Sequence, residues 1–295
     1  MLNAIIWDAD PDLFSGFVTV RWYGLMFAIG FLVGYEIVYR IFKREGRLES
    51  WVGALLLYTI VATVVGARLG HVLFYDWAYY KDHLMEILYV WHGGLASHGG
   101  TIGIILAILL YSRRVTRMSP LWTFDRLVVP VGFVGALIRI GNLMNSEIYG
   151  GATTAAWGMK FVRSKEWWMM YCPDGIVEHG AACHPTQLYE ALCYLLIFGI
   201  CMWMYWRKNC GERQGLIFGV FLLGIFVPRF VIEFVKNVQE PWELALRASC
   251  GMDMGQLLSI PFIVAGIWLV VRAMRRPRVA IDYPNQFAPE QAKRK

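Results

Sequence analysis

The chain has 295 residues, 57% of them hydrophobic and only 17% charged, against about 25% charged in an ordinary soluble domain. With a mean hydropathy of +0.45, this composition excludes a water-soluble globule and leaves a helical bundle or a closed β-barrel, the two architectures that satisfy their backbone polar groups in lipid. The net charge of +6 does not read as a nucleic-acid footprint, because the cations sit in short connections with no aromatic-interleaved basic patch; no nucleic-acid partner is expected.

The first fourteen residues, MLNAIIWDADPDLF, carry three Asp and no cation, so no cleaved secretory signal is expected and the first apolar run reads as a resident helix. Seven continuous apolar runs follow, at about 17–39, 51–74, 95–112, 121–145, 186–206, 215–235 and 255–273, each long enough to cross a bilayer as a helix. The connections 40–50, 112–120, 207–214 and 272–295 hold 17 Lys and Arg, whereas the alternate segments 1–16, 75–94, 146–185 and 236–254 hold six. Cytoplasmic loops carry the excess of cations. The reading is therefore an all-α integral membrane protein of seven transmembrane helices, with its N-terminus outside and its C-terminus cytoplasmic. Residues 1–275 are taken as one catalytic domain, with an outer loop at 146–185 inserted, and 276–295 as a cytoplasmic tail. The outer loop, rich in Trp, Met, Gly and Pro, reads as a segment lying at the headgroup level. Its Cys172 and Cys183 could pair if the loop faces an oxidising compartment.

Polar residues inside such spans default to a functional reading, because each charge is costly there. Arg21 and Arg68 lie near outer span ends; snorkelling to headgroups is the reading for Arg21. In GGLASHGGTIG (93–103), His98 stands between two glycine pairs, either as a structural hydrogen-bonder or as a proton acceptor. In LIRIGNLMNSEIYG (137–150), Arg139, Asn142 and Asn145 recur at i, i+3 and i+6 on one helical face, with Gly141 and Glu147 alongside. That stripe reads as an anion site, in preference to interhelical hydrogen bonding alone. HPTQLYEAL (184–192) offers His184 and Glu190 as further ligands. No HExxH-like spacing exists, so no metal is expected. In PRFVIEFVK (228–236), Arg229 and Glu233 are either a self-neutralising i,i+4 pair or a second cation for the same ligand. Together these residues describe a site for a lipid phosphate or another anion, with a candidate proton acceptor.

In order, WYGLM, GARLG..LFY, GG..SHGG, R.GNLMNSE.YG, HPTQLYE, R...EF and MGQLLSIP resemble the bacterial prolipoprotein diacylglyceryl transferases, over about residues 21–265. The resemblance implies an enzyme that moves the diacylglyceryl group of phosphatidylglycerol onto the lipobox cysteine thiol of a prolipoprotein signal peptide. A thioether forms and glycerol 1-phosphate leaves, as the first step of lipoprotein maturation. It implies a multi-pass protein of the bacterial inner membrane, among membrane lipids, with its active site toward the outer leaflet. No cofactor is implied. The family signature maps onto Arg139, Gly141, Asn142, Asn145, Glu147 and Gly150, its essential His onto His98, its first-helix Tyr onto Tyr23, and its late Arg and Glu onto Arg229 and Glu233. The catalytic assignment falls on His98, Arg139 and Arg229, and substrate binding on Tyr23, Asn142, Asn145, Glu147, Gly150 and Glu233. His98 is open between base and headgroup binder. The chain departs from the pattern with Ile225 where some members carry Tyr, His92 where Asp precedes the GG pair, and Ile138 where Gly precedes the signature Arg. A transporter also places Arg, His and Glu within helices, but it calls for repeats, and none is visible. A seven-helix receptor or scaffold needs no paired Arg beside Asn.

Overall fold

A computed structural model describes residues 4–15, 19–90, 93–94, 96–237, 246–249 and 251–281. Its helices are α1 (Trp22–Arg44), α2 (Glu49–Phe74), α3 (Trp77–Tyr80), α4 (Ser97–Tyr111), α5 (Pro120–Met144), α6 (Lys165–Tyr171), α7 (Thr186–Trp206), α8 (Leu216–Ile232) and α9 (Met254–Arg275). Short strands are β1 (Ile5–Trp7), β2 (Asp12–Phe14), β3 (Val20–Arg21) and β4 (Met159–Phe161). Seven of the helices, counting α4 on to Thr116 and α8 on to Val235, are 19 to 26 residues long and apolar enough to cross a membrane. Even the shortest spans about 29 Å at 1.5 Å per residue, close to a hydrocarbon core.

These are the seven runs read from the sequence, with one shift. The first helix begins at Trp22 rather than 17, because β3 pairs with β2 in a hairpin, closed by Arg21 on Asp12 at 3.3 Å. It also runs on to Arg44, since Lys43 and Arg44 suit the negative end of a helix.

The chain divides into two compact units: Met1–Glu36 with Leu127–Val279, and Ile37–Arg126 with Ala280–Lys295. In the second, α2 and α4 meet through glycines. A Cβ on Gly66 would stand 2.5 Å from the Gly99 carbonyl oxygen, and one on Gly70 would stand 2.6 Å from the Gly99 Cα. The two backbones therefore touch, as small-residue pairs allow in membranes. Arg68 is buried, not snorkelling: its guanidinium donates to the carbonyls of Ile87 (2.9 Å) and Gly93 (2.8 Å) and lies over the Tyr80 ring. Arg126 and Glu45, both fully buried, pair at 2.9 Å, and Trp122 donates its indole N–H to the same carboxylate. His92 lies outside the described residues.

In the first unit, β1 runs parallel to β4, and Arg163 Nε holds Asp8 at 2.6 Å. The N-terminal segment and the 146–185 loop are thus tied on one side of the spans. The loop is folded, with a core of its own. Trp167, Phe161, Tyr149, Met159, Cys172 and Cys183 bury one another together with Leu143. Trp167 is fully buried, with its N–H on the Ala181 carbonyl at 3.0 Å, so it anchors protein rather than headgroups. Cys172 and Cys183 are separate thiols. Further on, Asp253 and Gln256 form a capping box for α9, and Gln256 also donates to the Phe230 carbonyl of α8 at 3.3 Å.

Candidate active site

The polar stripe of α5 begins inside the helix and finishes in the turn after it. Arg139 Nη1 donates to Asn142 Oδ1 at 3.1 Å, and Asn142 Nδ2 donates to Glu147 Oε1 at 2.7 Å. Asn145 lies one residue past the end of α5 yet reaches the same carboxylate oxygen at 3.3 Å. This works because the chain turns back on itself, the Glu147 N–H bonding the Asn142 carbonyl at 3.1 Å. Ser146 and Ile148 take φ of +55° and +60°, a left-handed conformation that is strained for a non-glycine residue and most of all for a β-branched one.

The first turn of α7 holds that strained turn. Thr186 Oγ1 donates to the Ile148 carbonyl at 2.8 Å, and Gln187 Nε2 donates to the Glu147 carbonyl at 2.7 Å. Gly150 follows, its N–H on the His184 carbonyl and its neighbour Gly151 on the Val235 carbonyl. A Cβ on Gly150 would meet His184 Cβ and Thr186 Cγ2 at 2.8 Å, so no side chain fits. Gly150 therefore packs the turn against the segment that carries Lys236. His184 is occupied with the Tyr189 hydroxyl at 3.1 Å.

One turn further along α7, Glu190 is 1% exposed and is clamped between two cations, Arg139 Nε and Lys236 Nζ, the latter at 2.7 Å. Two cations offset the desolvation of one buried carboxylate. Lys236 also reaches Glu233 Oε2 at 3.4 Å. The late Glu thus pairs with Lys236 and not with Arg229, and the i,i+4 pair allowed by the spacing does not form. Arg229 lies within the field of Glu190 but has no hydrogen bond or ion pair to any described residue. A half-buried guanidinium with no ion pair among the described residues has the chemistry to take up an anion.

Tyr23, in the first turn of α1, packs its ring on Gly141, where a Cβ would stand 2.7 Å from Cδ2, which sets it beside Arg139, Asn142 and Glu147. Ile225 sits in an apolar cluster with Ala136, Ala191 and Tyr194. Tyr194, on α7, is buried in that cluster and lies close enough to Arg139 to interact with it electrostatically. Three members escaped the sequence reading. Tyr194 and Gln187 look like ordinary residues of an apolar helix, and Lys236 looks like a loop cation. Two buried acceptors at the turn, Asn145 Oδ1 and Gln187 Oε1, have no donor. Tyr23, Arg139, Asn142, Asn145, Glu147, Gly150, Arg229 and Glu233 all belong to the first unit. His98 lies in the second, exposed, on the first turn of α4.

Comparison with known proteins returns one family, described as prolipoprotein diacylglyceryl transferase, matching residues 11–272. A protein of Porphyromonas gingivalis named phosphatidylglycerol–prolipoprotein diacylglyceryl transferase is 55% identical over 92% of this chain and 96% of its own length. Proteins of the same name from Tolumonas auensis and Chloroherpeton thalassium are 43% and 41% identical, over 90% and 93% of this chain and 96% of each relative.

Proposed function

The chain belongs to the prolipoprotein diacylglyceryl transferase family, and on that premise we propose that it transfers the diacylglyceryl group of phosphatidylglycerol to the lipobox cysteine thiol of prolipoproteins. It works as a multi-pass protein of the bacterial inner membrane, with residues 1–275 as the catalytic body and the site open to the outer leaflet. The observation that carries this reading is Arg229, which has no ion pair among the described residues, beside the ion network of Arg139, Glu190 and Lys236.

The chemistry follows from charge. The peptide's sulfur forms a bond to the terminal glycerol carbon of the lipid while the bond from that carbon to the phosphate oxygen breaks. The thiol proton goes to a base. The departing phosphate changes from a diester monoanion to a monoester that gains a second negative charge. A guanidinium already in place binds that charge more strongly at the transition state than at the ground state. Arg229 takes this role. Arg139, whose fork is fixed by Glu190 and Asn142, supports it and orients the Asn142–Glu147 turn. The donor-free oxygens of Asn145 and Gln187 are acceptors for the hydroxyls of the glycerol headgroup. Tyr23 and Glu233 shape the wall: one packs on Gly141 beside Asn142, the other directs Lys236. A free thiol titrates near 8.5 and attacks as thiolate, and His98 is the candidate base.

Purified protein given radiolabelled phosphatidylglycerol and a lipobox peptide should label the Cys peptide and release glycerol phosphate, while a Ser-substituted peptide stays unlabelled. Absence of transfer by well-folded protein would leave only a lipid-anion binder.

A further inference from the structure

We propose that the cleft between the turn at 210–214 and the C-terminal end of α9 binds a phosphate-bearing anion, the headgroup of an anionic phospholipid. The site lies at the opposite end of α8 from Arg229, thirteen residues or about 20 Å away along the helix, and owes nothing to the transfer reaction.

After α9 ends, the chain does not run off. It folds back, with the Val279 N–H donating to the Glu212 carbonyl at 2.8 Å and Arg278 reaching the Glu212 carboxylate at 3.9 Å. The return forms one wall of an open cleft of about 330 Å³, lined by Arg213, Arg272, Arg276, Gln214 and Pro277. Glu212 is taken by Arg278. Arg213, Arg272 and Arg276 have no carboxylate partner among the described residues.

Helix capping accounts for part of this charge. Arg213 Nη1 caps α9 at the Ala273 and Met274 carbonyls, at 3.4 and 3.3 Å, while Arg272 Nη1 ties to the Gln214 carbonyl in the turn before α8 at 3.4 Å. Cations do favour a helix C-terminus. These bonds are long, however, and occupy one nitrogen of each guanidinium. Capping requires neither the side chain of Arg276 nor the return of the chain that sets it across from the other two. Three guanidinium forks around one cleft, none with a carboxylate partner among the described residues, are the chemistry of phosphate recognition.

Two sources offer a phosphate, a lipid headgroup or the free ion. The surroundings favour lipid. Trp268, Val271 and Met274, on the last two turns of the same spanning helix, are exposed by 61%, 43% and 58%. Acyl chains would lie along that face, and Arg272 sits over the Trp268 ring at 5.8 Å, between the apolar face and the cleft. Basic pockets at this end of membrane helices suit anionic headgroups.

The test is thermal unfolding of the full chain in neutral detergent, with dihexanoylphosphatidic acid, dihexanoylphosphatidylcholine and inorganic phosphate as probes. Phosphatidic acid should raise Tm saturably, and phosphatidylcholine should not. R276Q changes an exposed side chain and should fold normally; losing one charge-assisted contact should weaken the apparent Kd about tenfold. R229Q, at the other end of α8, should lose only what the transfer site contributes and should keep the R276Q-sensitive part of the response. A saturable, R276Q-sensitive shift with inorganic phosphate at equal strength would support the anion site and assign it to the free ion. The proposal falls if R276Q responds like the parent protein, or if R229Q alone abolishes the response.

Discussion

Arg139 spends its Nε on Glu190 and its Nη1 on Asn142, so one planar fork ties α5 to α7 and sets the first link of the chain that ends at Glu147. Lysine keeps the charge but offers a single point that cannot hold both partners. Arg139→Lys should therefore fold and still lose about 100-fold in kcat/KM, the worth of one or two charge-assisted hydrogen bonds. The check is transfer to the lipobox peptide with Tm measured alongside, and wild-type-like transfer would remove Arg139 from the site. His98 permits a sharper distinction. If it takes the thiol proton, His98→Asn should recover as pH rises toward and past about 8.5, because the peptide thiolate then forms unaided. A defect equally deep at every pH would make His98 a headgroup binder instead.

Between α2 and α4 the glycines act as a packing surface rather than as hinges. Gly99 faces the backbone of both Gly66 and Gly70. Gly99→Ala must push the two helices apart and should cost about 2 kcal/mol or more. Gly24→Ala, in a helix position with nothing within 4 Å of its Cβ, should be neutral or stabilising by up to about 1 kcal/mol. Paired melting curves decide this, and equal losses in the two variants would refute the packing account. Much of this scale was legible in the chain itself. Apolar runs mark spans because lipid forces each crossing to be helical, and the Arg139–Asn142–Asn145 spacing is visible for the same reason. What stayed hidden depends on contacts distant in sequence. Gln187 braces a turn 40 residues upstream, and Lys236 reads as a loop charge until Glu190 is found 2.7 Å away. Trp167 has the composition of a membrane anchor, and only the folded loop shows it inside a core.

The orientation of the whole molecule decides whether the reaction is possible, since a secreted prolipoprotein presents its cysteine on the outer side. The pairing of β1 with β4 and of Arg163 with Asp8 puts the N-terminal segment and the 146–185 loop on one face. An odd number of crossings sends the two chain ends to opposite faces, and on the 17-to-six partition of Lys and Arg we propose that the loop face is the outer one. Cysteine labelling tests this. Glu178→Cys, exposed in the loop, should react with a membrane-impermeant maleimide in intact cells. Lys208→Cys, exposed between α7 and α8, should react only after permeabilisation. With Cys210 and Cys250 replaced by Ser in the background, the two native thiols of the 146–185 loop will not confuse the result. Burial pushes Cys183 up to about 12 and holds Cys172 above its ordinary value as well, so near pH 7 neither supplies the thiolate that maleimide needs. The sign of the linkage agrees: a raised thiol pKa stabilises the fold below about 9, and that stabilisation fades as pH climbs toward 12, outside the labelling range. The reverse labelling pattern would turn Arg139 and Arg229 toward the cytoplasm, away from any secreted thiol, and the transfer reaction could not proceed at this site.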